Sequence, residues 1–273
     1  MYQIGWFSTG RDKAARDLLN AAMTAIDSGE IKARISFVFC SREPGESKES
    51  DLFIDKVRSY RIPLEYFSYQ KYKSTHEKDN AQTTKGFVEW RLDYDRQVMS
   101  SVNKYNADLY VLAGYMLIVG YEMCRKYNMI NLHPAAPGGP TGSWQEVVWQ
   151  LMTEGASESG VMMHLVTPEL DRGPVATYCT FSIKGASSED KWWQLKDKDI
   201  SQVKSEQGET NPLFKLIRKE GLKREFPLII ATLKAFSSGR IKVDSGEIVD
   251  SSCRIIEGYN LTNEVEKQIN RKK

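Results

Sequence analysis

The sequence predicts an α/β fold built on a doubly wound, mostly parallel sheet. Three observations carry that expectation. From Tyr2 to Tyr66, β-rich runs alternate with amphipathic helical runs, the order that lays helices over both faces of a parallel sheet. Asp108 to Tyr115 is a nearly continuous apolar run, as a central strand covered on both faces requires. Clusters such as Ser41-Arg42-Glu43-Pro44-Gly45 break the runs where turns are needed.

With 273 residues, 41% hydrophobic and 11% aromatic, the chain can bury a sizeable core without staples. Lys+Arg 38 against Asp+Glu 36 gives a net charge of +2, so no global field favours nucleic acid or an anionic membrane. Cys40, Cys124, Cys179 and Cys253 lie far apart without metal-type spacing, which predicts reduced, mostly buried thiols and no structural zinc. The start, Met1-Tyr2-Gln3-Ile4-Gly5-Trp6-Phe7, has no basic lead or long apolar run, and no later stretch could span a bilayer. A cytoplasmic protein is the expectation.

In chain order, Tyr2 to Phe7 reads as a strand and Ala14 to Ile26 as a helix with Leu18, Leu19, Ala22 and Ile26 on one face. Between them Ser8-Thr9-Gly10-Arg11-Asp12 is either an anion site at a helix N-terminus or an ordinary capped turn. Ala33 to Cys40 is a second strand, Ser50 to Tyr60 a helix through Leu52, Phe53 and Val57, and Arg61 to Tyr66 contains a short third strand. Tyr69 to Lys85 reads as a polar surface excursion and Gly86 to Tyr105 as a helix that carries Arg91 and Arg96. Trp144 to Glu154 predicts a helix, and Gly160 to Thr167 and Val175 to Ile183 predict the last strands. Ser187 to Pro212 is charged and interrupted, with Trp192-Trp193 as its expected anchor to the body. Leu213 to Arg218 and Pro227 to Ser237 read as separate helices, and 244–273 as a polar, peripheral tail.

The chemistry concentrates between Met129 and Pro174. In Asn131-Leu132-His133-Pro134 the amide and the imidazole alternate onto one face of a strand, leaving Ile130 and Leu132 for the core. The turn-rich run Pro137-Gly138-Gly139-Pro140-Thr141-Gly142 follows, and Leu170-Asp171-Arg172-Gly173-Pro174 adds a carboxylate in a second turn. An Asn, a His and an Asp suit acyl transfer to an amine: oxyanion donor, proton carrier and a group that sets the imidazole's protonation. No Ser or Cys stands in a nucleophile elbow, so direct transfer is favoured over a covalent intermediate. His164 reads either as a second active-site imidazole or as a structural one.

These residues in order, with Gly160-Val161-Met162-Met163-His164-Leu165-Val166, Leu112-Ala113-Gly114-Tyr115-Met116 and Tyr94-Asp95-Arg96-Gln97, resemble the folate-dependent formyltransferases. The likeness spans residues 1–243, with 187–212 as an insertion. It implies a Rossmann-like topology and transfer of a formyl group from 10-formyltetrahydrofolate, without a metal, to the primary amine of glycinamide ribonucleotide. By resemblance Asn131, protonated His133 and Asp171 are catalytic. Tyr115, Met116, Leu117, Ile118 and Val119 line the pterin pocket, partly through backbone groups, although plain core fits the same side chains. Arg91 grips the folate glutamate tail, and Ser8, Thr9, Gly10 and Arg11 hold the acceptor phosphate. Expected partners are small molecules, with a homodimer as the one assembly the reading admits.

Departures from the family pattern fall mostly on the acceptor side. The Gly-Ser-Asn loop is replaced by Ser8-Thr9-Gly10-Arg11. A Glu-His pair, whose Glu binds ribose hydroxyls in the family, gives way to Leu222 and Lys223, with Glu220 and Glu225 as displaced candidates. Leu117 replaces a basic residue on the folate side. An amino sugar nucleotide as acceptor, water as acceptor in a hydrolase, and a binding module without turnover are the competing readings. The hydrolase is disfavoured because such enzymes usually add an N-terminal regulatory domain, and the binding module because all three polar residues are retained.

Overall fold

The computed structural model describes residues 1–76, 88–186 and 188–271. They form two compact units, residues 1–131 with 165–169, and residues 132–164 with those from 170 onward.

The first unit is the expected alternation. It runs β1 (Tyr2–Ser8), α1 (Lys13–Asp27), β2 (Ala33–Cys40), α2 (Lys48–Ser59), β3 (Leu64–Tyr66), α3 (Tyr69–His76), α4 (Glu89–Val102), β4 (Leu109–Leu112), α5 (Tyr121–Lys126) and the opening residues of β5 (Met129–His133). Pairing is parallel throughout, in the order β3-β2-β1-β4-β5, so the carboxyl ends of β1, β2 and β4 share one edge. Helix starts follow local chemistry: the Asp12 carboxylate accepts from the Ala15 N–H at 3.1 Å, and the Ser47 hydroxyl from the Ser50 N–H at 3.2 Å. The core is aromatic. Phe7, Phe37, Phe39, Tyr94 and Tyr115 pack together, with Phe7 edge-on to Tyr115 at 5.7 Å.

Two expectations change here. The excursion predicted from Tyr69 begins as the helix α3, held because Tyr69 sets its ring edge-on against Tyr94 at 5.3 Å and Tyr72 meets Phe67 at 5.4 Å. The remainder of that stretch, with the start of the helix expected from Gly86, lies outside the described residues. Leu52, read as part of the apolar face of α2, is exposed, while Phe53, Ile54 and Val57 are buried.

The second unit takes up the last residues of β5 and adds α6 (Trp144–Thr153), β6 (Glu158–Leu165), β7 (Val175–Ser182), α7 (Glu189–Trp193), α8 (Ile200–Gln207) and a short 3-10 turn (Gly208–Thr210). It ends with α9 (Pro212–Ser237), β8 (Ile241–Asp244), β9 (Glu247–Asp250), β10 (Tyr259–Asn260) and α10 (Thr262–Arg271). β6 and β7 are antiparallel, β10 joins β7 in parallel, and β8 and β9 form a hairpin. Ser143 and Glu146 close a capping box on α6.

Here the corrections are larger. The two helices read on either side of Pro227 are one helix, α9. Its buried residues on both sides of the proline hold it against β7, as the Thr177–Thr232 hydroxyl pair at 2.6 Å shows. The tail expected to be peripheral is tied to the body over its described residues, 244–271. β10 extends the sheet, Leu261 and Val265 are buried, and Arg224 and Arg240 of the second unit pair with Glu266 at 2.7 Å and Glu264 at 2.6 Å. Of the tandem tryptophans, Trp192 anchors by donating Nε1–H to the Ile183 carbonyl at 2.8 Å, whereas Trp193 is 70% exposed. Cys253 is exposed, against the expectation of mostly buried thiols, and Cys40 and Cys179 are buried. No helix among the described residues is long and apolar enough to cross a membrane.

Candidate functional site

The second unit brings His133, His164 and Asp171 together. His133 closes β5, and His164 lies near the end of β6 beside a register shift between Met163 and His164. Such an irregularity re-aims a side chain out of the regular alternation. Asp171 sits in the turn between β6 and β7 with φ +54, a left-handed conformation that Asp tolerates better than most residues. Its carboxylate faces both rings: Oδ2 is 3.5 Å from His133 Nδ1 and Oδ1 is 3.6 Å from His164 Nε2. The Gly142 N–H donates to Oδ2 at 3.3 Å. The rings stand edge to face, 6.3 Å apart.

The segment after His133 can lie this close because of glycines. A Cβ on Gly160 would come within 2.8 Å of the Ala136 Cβ, and Gly142 has φ +100. The turn then lays the Pro140 carbonyl 2.8 Å from His133 Nε2. A carbonyl only accepts, so Nε2 carries the proton there.

Electrostatics separates the groups. Burial pushes the His133 imidazole below its ordinary pKa, more than the Pro140 carbonyl and Asp171 raise it. Burial also pushes the Asp171 carboxyl up, but His164, His133 and the Gly142 N–H outweigh it and leave the carboxyl below its usual range. At neutral pH the site therefore holds an ionised carboxylate beside a neutral His133. This corrects the expectation of a protonated His133. Asn131, two residues earlier on β5, is half-buried and registers with Leu112. Leu132, expected in the core, is only half-buried.

The other expected site residues lie in the first unit. Tyr115 and Val119 are buried core, while Met116 is 55% and Ile118 is 53% exposed and Leu117 is partly buried. Arg91, expected to grip a folate tail, has its guanidinium engaged within the protein. It is buried, donates to Asp95 at 2.6 Å and to the Ile118 carbonyl at 2.5 Å, and Asp95 takes the Gly120 N–H at 2.7 Å. The pair clamps the 118–120 backbone. Arg96, by contrast, spreads over Glu122, Glu89 and Asp93 near the surface.

Ser8, Thr9 and Gly10 are placed at the end of β1, but their backbone donors are partly spent. The Thr9 N–H goes to the Gly114 carbonyl at 3.0 Å and the Gly10 N–H to Ser8 Oγ at 3.1 Å. Thr9 Oγ1 instead ties loops together, accepting from Ser41 Oγ and from the Met116 N–H, each at 3.0 Å. Two of the loop's backbone donors are thus used within the protein, and its exposed cation is Arg11. Glu220 and Glu225, the displaced ribose candidates, are held by Lys223 with Arg224 and by Arg218. Among the described residues no cluster of three or more His, Cys, Asp or Glu could hold a metal. Sequence reading left His164 between two roles and missed the Pro140 carbonyl and the Gly142 N–H; neither carries a local sequence signal.

Comparison with known proteins bears on this geometry. The family described as "Formyl transferase" matches residues 13–197, more than half of the chain. The phosphoribosylglycinamide formyltransferase of Dictyostelium discoideum is 27% identical over 167 residues, covering 58% of this chain and 74% of that enzyme. The Escherichia coli (strain K12) enzyme of the same name is 33% identical over 103 residues, 36% of this chain and 46% of that enzyme. Among solved structures, the Coxiella burnetii phosphoribosylglycinamide formyltransferase superposes with a TM-score of 0.61 at 20% identity, covering 95% of this chain and 98% of that one. A formyltetrahydrofolate deformylase from Pseudomonas syringae gives 0.56 at 20% identity, covering 91% and 65%. At these identities the structures establish a shared α/β fold.

Proposed function

The chain belongs to the formyl transferase family, and from that premise we propose that it moves a formyl group from 10-formyltetrahydrofolate to the primary amine of glycinamide ribonucleotide. The observation that carries this reading is the Asp171 carboxylate set between His133 and His164. The relatives named for the same reaction support the choice of acceptor.

The amine attacks the formyl carbon directly. The new C–N bond forms as the carbonyl electrons move onto oxygen, and the C–N10 bond then breaks as the carbonyl re-forms. The attacking nitrogen loses one proton and N10 gains one. His133 Nε2–H, released from the Pro140 carbonyl, donates to the oxyanion, and Asn131 supplies a second donor. Negative charge then lies on both sides of the ring, at the oxyanion and at Asp171, which favours protonation of Nδ1. The amine's proton can be held there and delivered to N10, with water as the relay. His164 keeps Asp171 ionised and oriented.

The folate is a co-substrate, with the exposed side chains of Met116 and Ile118 and the partly buried Leu117 for it. An amino sugar nucleotide is the second acceptor, favoured by the altered Ser8 to Arg11 loop and by the engagement of Glu220 and Glu225 in ion pairs. The test is release of tetrahydrofolate from 10-formyltetrahydrofolate with glycinamide ribonucleotide, an amino sugar nucleotide or water alone. Formylated glycinamide ribonucleotide is the expected product. Equal release without any amine would replace transfer by hydrolysis.

A further inference from the structure

The turn that aligns Asp171 is rich in glycine, with Gly138, Gly139 and Gly142, and so has little stiffness of its own. The capping box that closes its far end, Ser143 with Glu146, is exposed to solvent. The Gly142 N–H reaches Asp171 Oδ2 at 3.3 Å, already at the outer edge of hydrogen bonding, so a shift of about half an ångström would lose the bond. A second anchor is needed to hold Gly142 to that tolerance. The indole of Trp144, two residues on and the first residue of α6, is placed to provide it.

Trp144 is gripped by α9. Phe214, Arg218 and Glu225 lie four and seven positions apart in turn, close to one and two helical turns, so they share one face of that helix. The buried Phe214 ring is 5.7 Å from the Trp144 ring and 4.9 Å from that of Trp149. The Arg218 guanidinium lies over the Trp144 ring, with Cζ 4.5 Å from its centre. Glu225 is buried and takes Arg218 Nη1 at 2.5 Å, which fixes the direction of the cation. Carboxylate, guanidinium and indole thus form one stack that ends two residues from the Gly142 N–H.

We propose that Glu225, Arg218 and Trp144 are positioning residues: their stack fixes the start of α6, and through it the Gly142 N–H that aligns the Asp171 carboxylate between the two imidazoles. Asp171 faces His133 from β5 and His164 from β6, with Arg172 beside it in its own turn. An N–H donor stabilises the charged carboxylate, so losing it should make Asp171 titrate at higher pH. The two imidazoles remain, and the rise is partial. The effect on turnover rests on the formyl-transfer reading, whereas the Asp171 titration needs no substrate.

The test compares Trp144→Leu, Trp144→Phe, and Arg218→Gln combined with Glu225→Gln, which leaves no buried carboxylate unpaired. Arg224→Met is the control. Arg224 lies on another face of α9, over the Phe181 ring at 4.3 Å and paired with Glu266, so its loss destabilises the unit without removing a contact of Trp144. Carboxyl carbon-13 NMR of the substrate-free protein should show the Asp171 pKa raised by about half a pH unit or more in Trp144→Leu and in the double variant. Trp144→Phe, which keeps a ring under Arg218, should stay closer to wild type, and Arg224→Met should lower the melting temperature without moving the Asp171 titration. In the formyl-transfer assay the same two variants should lose about fivefold or more in kcat, with KM for both substrates changed less than about twofold.

An Asp171 titration unchanged in Trp144→Leu and in the double variant would overturn the role. So would an equal rise in Arg224→Met, since any loosening of the unit would then suffice. A raised Asp171 pKa in a protein that formylates no amine would leave the positioning in place and overturn the proposed reaction instead.

Discussion

His133 Nε2 lies 2.8 Å from the Pro140 carbonyl oxygen, so the N–H that would meet a developing oxyanion is occupied by the chain's own turn. The two groups are seven positions apart in the chain, and Gly138, with φ +75, and Gly139, where a Cβ would come within 2.9 Å of the Ala136 carbonyl oxygen, let the chain fold back so sharply. In the proposed reaction, binding of the formyl group exchanges that carbonyl for the substrate oxygen, and turnover would then depend on the turn as well as on the imidazole.

Gly142 is where this dependence can be measured. Its φ of +100 is unfavourable for a side chain, and a Cβ would come within 2.6 Å of Glu146 Oε2 in the capping box of α6. Gly142→Ala should shift the N–H that aligns Asp171, lowering kcat by at least about tenfold while circular dichroism remains that of a folded protein. A variant with unchanged kcat would show that the Gly142–Asp171 bond has no part in the reaction.

His133→Ala and Asp171→Asn should each reduce turnover by about two or more orders of magnitude in folded protein, because each removes a proton carrier or the charge that orients it. Because the two groups act as a unit, the double variant should be little worse than either single one. Multiplicative losses would mean that they act independently.

The pH dependence of stability has a defined sign. The folded pKa values of His133 and Asp171 both lie below their ordinary values, so the folded state binds fewer protons than the unfolded one. Their contributions are complete above the unfolded pKa and are lost as pH falls through the folded one. For His133 the loss begins below about pH 6.5. Urea titrations at pH 7 and pH 5 should show a smaller acid-side loss for His133→Gln than for wild type. Equal losses in the two proteins would remove His133 from this account.

Arg91 and Arg96 lie five residues apart on one helix and should behave differently. The Arg91–Asp95 pair is buried, with side-chain exposures of 9% and 1%, and Arg91→Met strands the carboxylate, an effect of about 3–5 kcal/mol. The Arg96 network is partly solvated, and Arg96→Met should cost about 1 kcal/mol or less. Denaturant midpoints that move equally would contradict the assignment of Arg91 to the 118–120 clamp.

In the first unit the strands and the helices α1, α2 and α4 were legible in the sequence, whereas α3 read as part of an excursion and α5 was not read at all. Period-two and helical patterns are local properties, so β2 was legible from Ala33 to Cys40 and the apolar run before Gly114 revealed β4. The ordered motifs singled out Asn131, His133 and Asp171 as candidates, of which the structure brings His133 and Asp171 within 3.5 Å. Tertiary structure alone decided which donor meets which acceptor. Arg91 reads as a ligand grip until Asp95 and the Ile118 carbonyl take its guanidinium. The Thr9 and Gly10 N–H groups, open to an anion as far as the sequence shows, are taken by the Gly114 carbonyl and the Ser8 hydroxyl, and Pro227, read as the start of a helix, lies inside α9, which burial on both sides of it carries through. Hydrogen-bond partners and burial depend on residues far apart in the chain. Periodicity reports only the neighbours within a turn or a strand pair, and it cannot show whether a polar group's capacity is already used.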